Sequence, residues 1–338
     1  MRHGLAILFL MPCLLGLRNC GEQIFRGDLS SSRGFGPTYN ATRCMDCHFA
    51  PAIDGELTAG GNGVRYRSPV YVRLGQGPVI PYFRFADPRP IPSEARVATR
   101  LAPPLGGLAE VEAIGDAYIR INADPQDVDG DGISGRIGGF TEGGRIYRYG
   151  LQAHVATLRE FIERALAEEH GIDFDEQQDT PAMVDALEAF ILSLPPPQPL
   201  YPTGVDPQQA QEGAEIFEAI GCADCHVPQV GAAVLYSDLL LHDLGPSLDD
   251  RVSLNPACQA EVPEDLHHTR ECSTREFRTP SLLGVGHRLK RAALHDGRAR
   301  DVEMVVRLHG GEAADSRDAW LALRRNERQA LADFFKTL

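Results

Sequence analysis

The chain has 338 residues, a formal net charge of −14 and 43% hydrophobic residues. That length accommodates two domains of ordinary size, each with its own core. The acidic balance excludes nucleic acid and anionic membrane surfaces as partners, since both need a basic patch; the apolar fraction is that of a globular chain, neither disordered nor membrane-embedded.

The first twenty residues, MRHGLAILFLMPCLLGLRNC, set Arg2 and His3 ahead of an apolar run from 5 to 17. The run is too short for a mature membrane span, and residues 1–20 read as an export signal. Cys20 stands where a lipoprotein cysteine would, although Arg18 and Asn19 are unfavourable just before one, so a lipid anchor there is the single expected route to a membrane. Residues 21–194 form the first expected domain. GEQIF (21–25) opens it, RCMDCHFAP (43–51) follows, and a long insert rich in Gly, Pro and Arg precedes a helical pattern near Leu151. Runs such as SPVYVRL (68–74) in that insert read as short strands, and ALEAFILSL (186–194) closes the unit at helical spacing.

PPPQPLYPTG (195–204) cannot be helical and reads as a stiff linker. Residues 205–338 then repeat the first unit in shorter form: GAEIF (213–217), GCADCHVP (221–228) and ALADFFKTL (330–338). The expected fold is therefore mainly α, with two cytochrome-c-like domains, the N-terminal one enlarged by loops and short β segments. An elaborated loop region around one centre is where a substrate site would be built.

Both units carry Cys-x-x-Cys-His, as Cys44, Cys47, His48 and as Cys222, Cys225, His226. This is the attachment pattern of c-type haem: each thiol adds to a vinyl group and the imidazole ligates the iron. Zinc would need two further ligands near each cysteine pair, and a thioredoxin-type dithiol a βαβ context; neither is visible. Bacteria attach haem covalently outside the cytoplasmic membrane, so the motifs and the export signal agree on a periplasmic protein with two covalently bound haems. Of the remaining cysteines, Cys13 and Cys20 fall in the leader. Cys258 and Cys272, in a polar segment, are expected to form a disulfide in an oxidising compartment. His267 and His268 read as solvated loop residues, and Trp320 as core.

No histidine lies between His48 and His154, and no methionine between Met45 and Met183. The first haem thus lacks a near-sequence axial partner, and an open iron able to bind peroxide or oxygen is expected. His154, in GLQAHVATLREF, is the alternative sixth ligand, with Tyr147 and Tyr149 weaker ones. In DVDGDG, Asp127, Asp129 and Asp131 are spaced like the front of a calcium loop with Gly132 for its sharp turn, but the closing glutamate position is Gly138.

The blocks GFGPTYNATRCMDCHFAP, RLAPPLGGLAEVEAI, ADPQDVDGDGISGR, YSDLLLHDLGPSL, EFRTPSLLGVG, LHDGRAR and LHGGEAADSR resemble the bacterial di-haem oxidoreductases described as putative peroxidases or thiol oxidoreductases. More remotely, FRTPSL and HDGRARDVEMVVRLH are similar to the C-terminal domain of di-haem cytochrome c peroxidases and MauG-like enzymes. The resemblance implies a sixth ligand for the second haem. In the peroxidases a methionine follows the His-Asp-Gly histidine by fourteen positions; here that position, counted from His295, is His309, with Met304 the less suitable neighbour. Bis-imidazole ligation would give a lower potential than a thioether. The resemblance also implies a distal carboxylate for acid–base help, Glu112 with Glu110 second, haem-propionate partners at Arg278 and Arg298, and calcium near the haems. The expected activity is a periplasmic di-haem oxidoreductase, peroxidase-like. It would take electrons from a small redox protein at the C-terminal haem and reduce peroxide or another small oxidant at the N-terminal one. A non-catalytic electron-transfer cytochrome is the rival.

Overall fold

The computed structural model describes residues 16–31, 41–48, 70–73, 79–82, 93–174, 180–197, 199, 205–250, 252, 274–289 and 292–338. The expectations for Cys13, Cys258, Cys272, His267 and His268 lie outside them. The described helices are α1 (Leu17–Arg26), α2 (Leu108–Ala113), α3 (Asp116–Arg120), α4 (Leu158–His170), α5 (Thr180–Leu192), α6 (Pro207–Ala219), α7 (Val285–Arg288), α8 (Val302–Leu308), α9 (Ala314–Ala322) and α10 (Arg325–Phe335). The strands are short: an antiparallel sheet of order β2-β1-β3, from β1 (Val70–Arg73), β2 (Val79–Tyr82) and β3 (Arg96–Thr99), and two two-stranded ladders, β4 (Gln229–Val230) with β5 (Ala233–Val234) and β6 (Leu241–Asp243) with β7 (Glu276–Arg278). The protein is mainly α, with the short β segments expected of the enlarged first half.

The repeat read from the sequence is a repeat of helix packing. In the first half α1 crosses α5, and in the second α6 crosses α10. Both crossings are closed by a glycine: a Cβ on Gly21 would strike the Ala186 carbonyl and lie 2.6 Å from Phe190 Cβ, and one on Gly213 would strike the Ala330 carbonyl and lie 2.8 Å from Phe334 Cβ. One turn further on, Phe25 packs on Phe190 and Phe217 on Phe334, each pair with ring centroids 5.4 Å apart. The same two phenylalanines reach the motif histidines, Phe25 to His48 at 6.3 Å and Phe217 to His226 at 6.5 Å. Glycine, aromatic and histidine therefore form one construction, made twice.

Local signals set the helix ends. Thr157 and Glu160 form a reciprocal capping box before α4, which stops at Gly171 in the left-handed region (φ 64). Asp206 caps α6 with Pro207 at its first position, and Asp301 caps α8. The expected helix near Leu151 begins seven residues later, at Leu158, because residues 151–157 make turns and a bridge, Tyr149 to Val155.

The halves share a core. Val230, Leu235, Leu239 and Leu240 of the second half are buried together with Leu105, Ile119, Ile146 and Leu158 of the first. Backbone hydrogen bonds cross between them, from Arg278 N–H to Leu151 O at 2.8 Å and from Arg136 N–H to Leu241 O at 2.9 Å. α1 begins at Leu17, inside the stretch read as an export signal, and Cys20 on it is buried and disulfide-bonded.

Candidate functional site

Each Cys-x-x-Cys-His motif folds as a single 3-10 turn, Cys44–Asp46 and Cys222–Asp224. The histidine N–H then donates to the first cysteine carbonyl, at 2.9 Å for His48 and 3.0 Å for His226. Cysteine, cysteine and histidine thus face one way. Each motif borders a cavity, of about 210 Å³ in the first half and about 150 Å³ in the second.

Burial keeps the first thiol of each motif protonated and both motif imidazoles neutral. Burial pushes the Cys44 and Cys222 thiols up to about 12 and holds His48 and His226 down at about 4, so both imidazoles are neutral at pH 7. Each histidine directs Nδ1 at a backbone carbonyl, His48 at Pro103 O (3.1 Å) and His226 at Tyr236 O (2.9 Å). That bond fixes the ring and leaves Nε2 for a metal. Among the described residues no cysteine or histidine belongs to a three-ligand cluster at metal spacing.

His309, at the C-terminal end of α8, borders the second cavity with His226, and its Nδ1 faces Val305 O at 2.7 Å. Met304 is exposed and outside that cavity. Arg278 borders both cavities; it donates to Gly150 O at 2.9 Å and Thr279 O at 3.2 Å, and no carboxylate among the described residues pairs with it. Burial lowers its pKa to about 10 yet leaves it charged at neutral pH. A half-buried guanidinium with no carboxylate beside it suits an incoming acid, and haem propionates are acids of the right kind. The residues present therefore fit two haems.

Three expected residues lie elsewhere. Arg298 is outside both cavities, paired with Asp296 and donating to Ser247 O at 2.9 Å; the loop it closes takes up its charge. Glu112 stands behind the first cavity rather than in its wall. Its carboxylate accepts from the Tyr149 hydroxyl (2.7 Å), the Leu158 N–H (3.2 Å) and Arg145 (2.6 Å). Burial alone would raise its pKa, but these three donors hold it below the usual carboxylate range, opposite to what a proton donor needs. Glu110 is likewise outside the wall. Tyr149 does border the cavity, but its hydroxyl is spent on Glu112, and Tyr147 packs its ring against Gly139. Trp320 is buried among Phe217, Leu331 and Phe334 as core. In the acidic loop, ligand oxygens of Asp124, Asp127 and Asp129 lie within 4.8 Å of one another. Asp131 instead accepts the Ile133 N–H at 2.7 Å, so the triplet that assembles is not the expected one.

His154, expected as the alternative sixth ligand, does border the first cavity; two histidines escaped the sequence reading, His170 in the same cavity and His242 in the second. His154 Nδ1 is buried without a partner, and a Cβ on Gly150 would lie 2.5 Å from it. His170 ends the buried stripe Leu158, Ile162, Leu166, His170 of α4; a histidine closing an i, i+4 apolar stripe was the signal that could have found it. Beside Cys225, His242 is clamped between Asp238 and Glu312, at 2.8 Å each. Burial works against its charge, but these acids outweigh it and lift its pKa well above the usual histidine value. It borders the second cavity as a fixed cation.

Residues 202–338 match the model of a family described as di-haem oxidoreductase, putative peroxidase. The match spans about two fifths of the chain, and in that segment the chain is similar to the family. No curated protein matches it. Among solved structures it is similar to Kuenenia stuttgartiensis hydrazine synthase pressurised with xenon, at 17% identity over 95% of this chain and 87% of that one, TM-score 0.49. It is similar also to a MauG-like protein associated with microbial copper homeostasis (16%, 95% and 89%, TM-score 0.48). A third similar structure is the dihaem peroxidase BthA from Burkholderia thailandensis E264 (16%, 95% and 85%, TM-score 0.48).

Proposed function

We propose that this chain is an exported, periplasmic di-haem c-type cytochrome with peroxidase-like activity, in which electrons enter at the C-terminal unit and a small oxidant is reduced at the N-terminal one. The observation that carries the reading is the pair of cavities, each walled by Cys-x-x-Cys-His and both bordered by Arg278. Haem supplies one-electron iron chemistry and a site for the oxidant; the residues do the rest. Cys44 and Cys47, and Cys222 and Cys225, would hold the rings, and His48 and His226 would ligate the irons. Arg278 offers its charge to both sites at once, which favours close coupling between them. In the first cavity His154 Nδ1 is a polar group left for an oxidant, whereas the carboxylate of Glu112 is not in the wall. The Tyr149–Glu112 pair stiffens the wall beside it. The net charge of −14 suits a small basic redox protein as donor.

A second histidine in each cavity favours one rival, a pure electron-transfer cytochrome with both irons closed. One experiment separates the two. The exported protein is purified and weighed, which should show the mass of two haems, and is then supplied with a reduced small basic cytochrome and hydrogen peroxide. Peroxide-dependent oxidation of the donor over many turnovers is expected. Rapid electron exchange with the donor but no peroxide turnover would leave the rival standing.

A further inference from the structure

Six of the described histidines border the two cavities, and their hydrogen bonds sort them into kinds. In the second cavity, His226 and His309 each engage Nδ1 with a backbone carbonyl, at 2.9 and 2.7 Å, and keep Nε2 uncommitted. His242 spends both nitrogens on carboxylates and has none for iron. In the first cavity, His48 shows the same carbonyl pattern. So does His170, whose Nδ1 faces Ala41 O at 2.8 Å. His154 does not: its Nδ1 has no partner. A carbonyl on Nδ1 is the usual outer support of a metal-ligating imidazole, because it sets the tautomer and aims the other nitrogen.

Placement points the same way: His309 borders the second cavity with His226, and His170 borders the first with His48.

We propose that His170 is the second axial ligand of the haem iron held by His48, as His309 is of the iron held by His226. With haem bound, the iron would be held by two imidazoles, and an external ligand would have to compete with His170. The Ala41 carbonyl, three residues before Cys44, ties the ring to the strand of chain that carries the attachment motif, so ligand and haem are positioned by one segment. The inference rests on the di-haem reading above.

The test uses full-length, haem-loaded protein. Ferric optical and electron paramagnetic resonance spectra are recorded for the wild type, His170→Ala, His170→Met and His154→Ala, and azide binding is followed in each. The wild type should hold two low-spin centres. His170→Ala should convert one of the two to high spin, bind one equivalent of azide rapidly, and return to low spin with added imidazole, while His154→Ala stays low spin. Should His170→Ala not accumulate, His170→Met should replace one bis-imidazole signature by the methionine-sulfur charge-transfer band. Two low-spin bis-imidazole centres persisting in either His170 variant, or one high-spin centre already in the wild type, would overturn the proposal. None of these readouts involves turnover: absent peroxide activity with the spin change present defeats the proposed function and leaves His170 as ligand.

Discussion

Replacing Gly213 by alanine tests the helix crossing on which each haem unit is built. The new Cβ would lie 2.6 Å from the Ala330 carbonyl carbon and 2.8 Å from Phe334 Cβ, where carbon atoms pack comfortably at about 3.5–4.0 Å. Both obstacles are backbone or Cβ atoms with no rotamer to yield, so α6 and α10 have to part by roughly 1 Å. Overpacking of this kind costs about 1–3 kcal/mol, and an unyielding site belongs at the upper end. Alanine recovers about 1 kcal/mol of intrinsic helix preference. The net expectation is a loss of about 2 kcal/mol, or roughly 4–8 °C in Tm for a unit of this size. Thermal unfolding of haem-loaded protein measures it, with Gln211→Ala on the exposed face of the same helix as the reference. A local readout accompanies the loss, because Phe217, one turn on, packs at 6.5 Å from His226. The C-terminal haem spectrum should therefore broaden while the N-terminal one holds. A Gly213→Ala protein as stable as the reference would mean that propensity wins and that the helices do not meet at this glycine.

Two further outcomes follow from buried charge. Arg278→Gln removes a cation bordering both cavities, so ferric iron is favoured at each and both midpoint potentials should fall in a potentiometric titration; movement of only one would refute the shared arginine. Glu276 is buried beside Arg136, and burial, only partly offset by that guanidinium, raises its pKa to about 7. A carboxyl raised in the folded state stabilises fully below its unfolded value of 4.5 and loses that contribution as pH rises through about 7. Tm should therefore drop between pH 5 and pH 8, and Glu276→Gln should flatten that slope; an equally steep slope in the variant would place the effect elsewhere.

What the sequence could decide by itself was local or periodic. Covalent haem attachment would need two thiols and an imidazole on one turn, so a five-residue spacing can announce it. The repeated Gly-x-x-x-Phe and the closing apolar helices announced two alike units, because helices that cross at a glycine must keep that glycine and the aromatic one turn later. Only the tertiary structure could decide the far side of each cavity. His170 is remote from His48 in the chain, and whether a distant imidazole faces iron depends on which carbonyl meets its Nδ1 after packing. The same applies to Glu112, one layer behind the wall because Tyr149, Leu158 and Arg145 reach it first, and to Arg278, shared by both cavities because β7 runs along the first half of the protein. Spacing specifies what a turn can hold, whereas the partners of a buried charge are settled by which segments the shared core brings together.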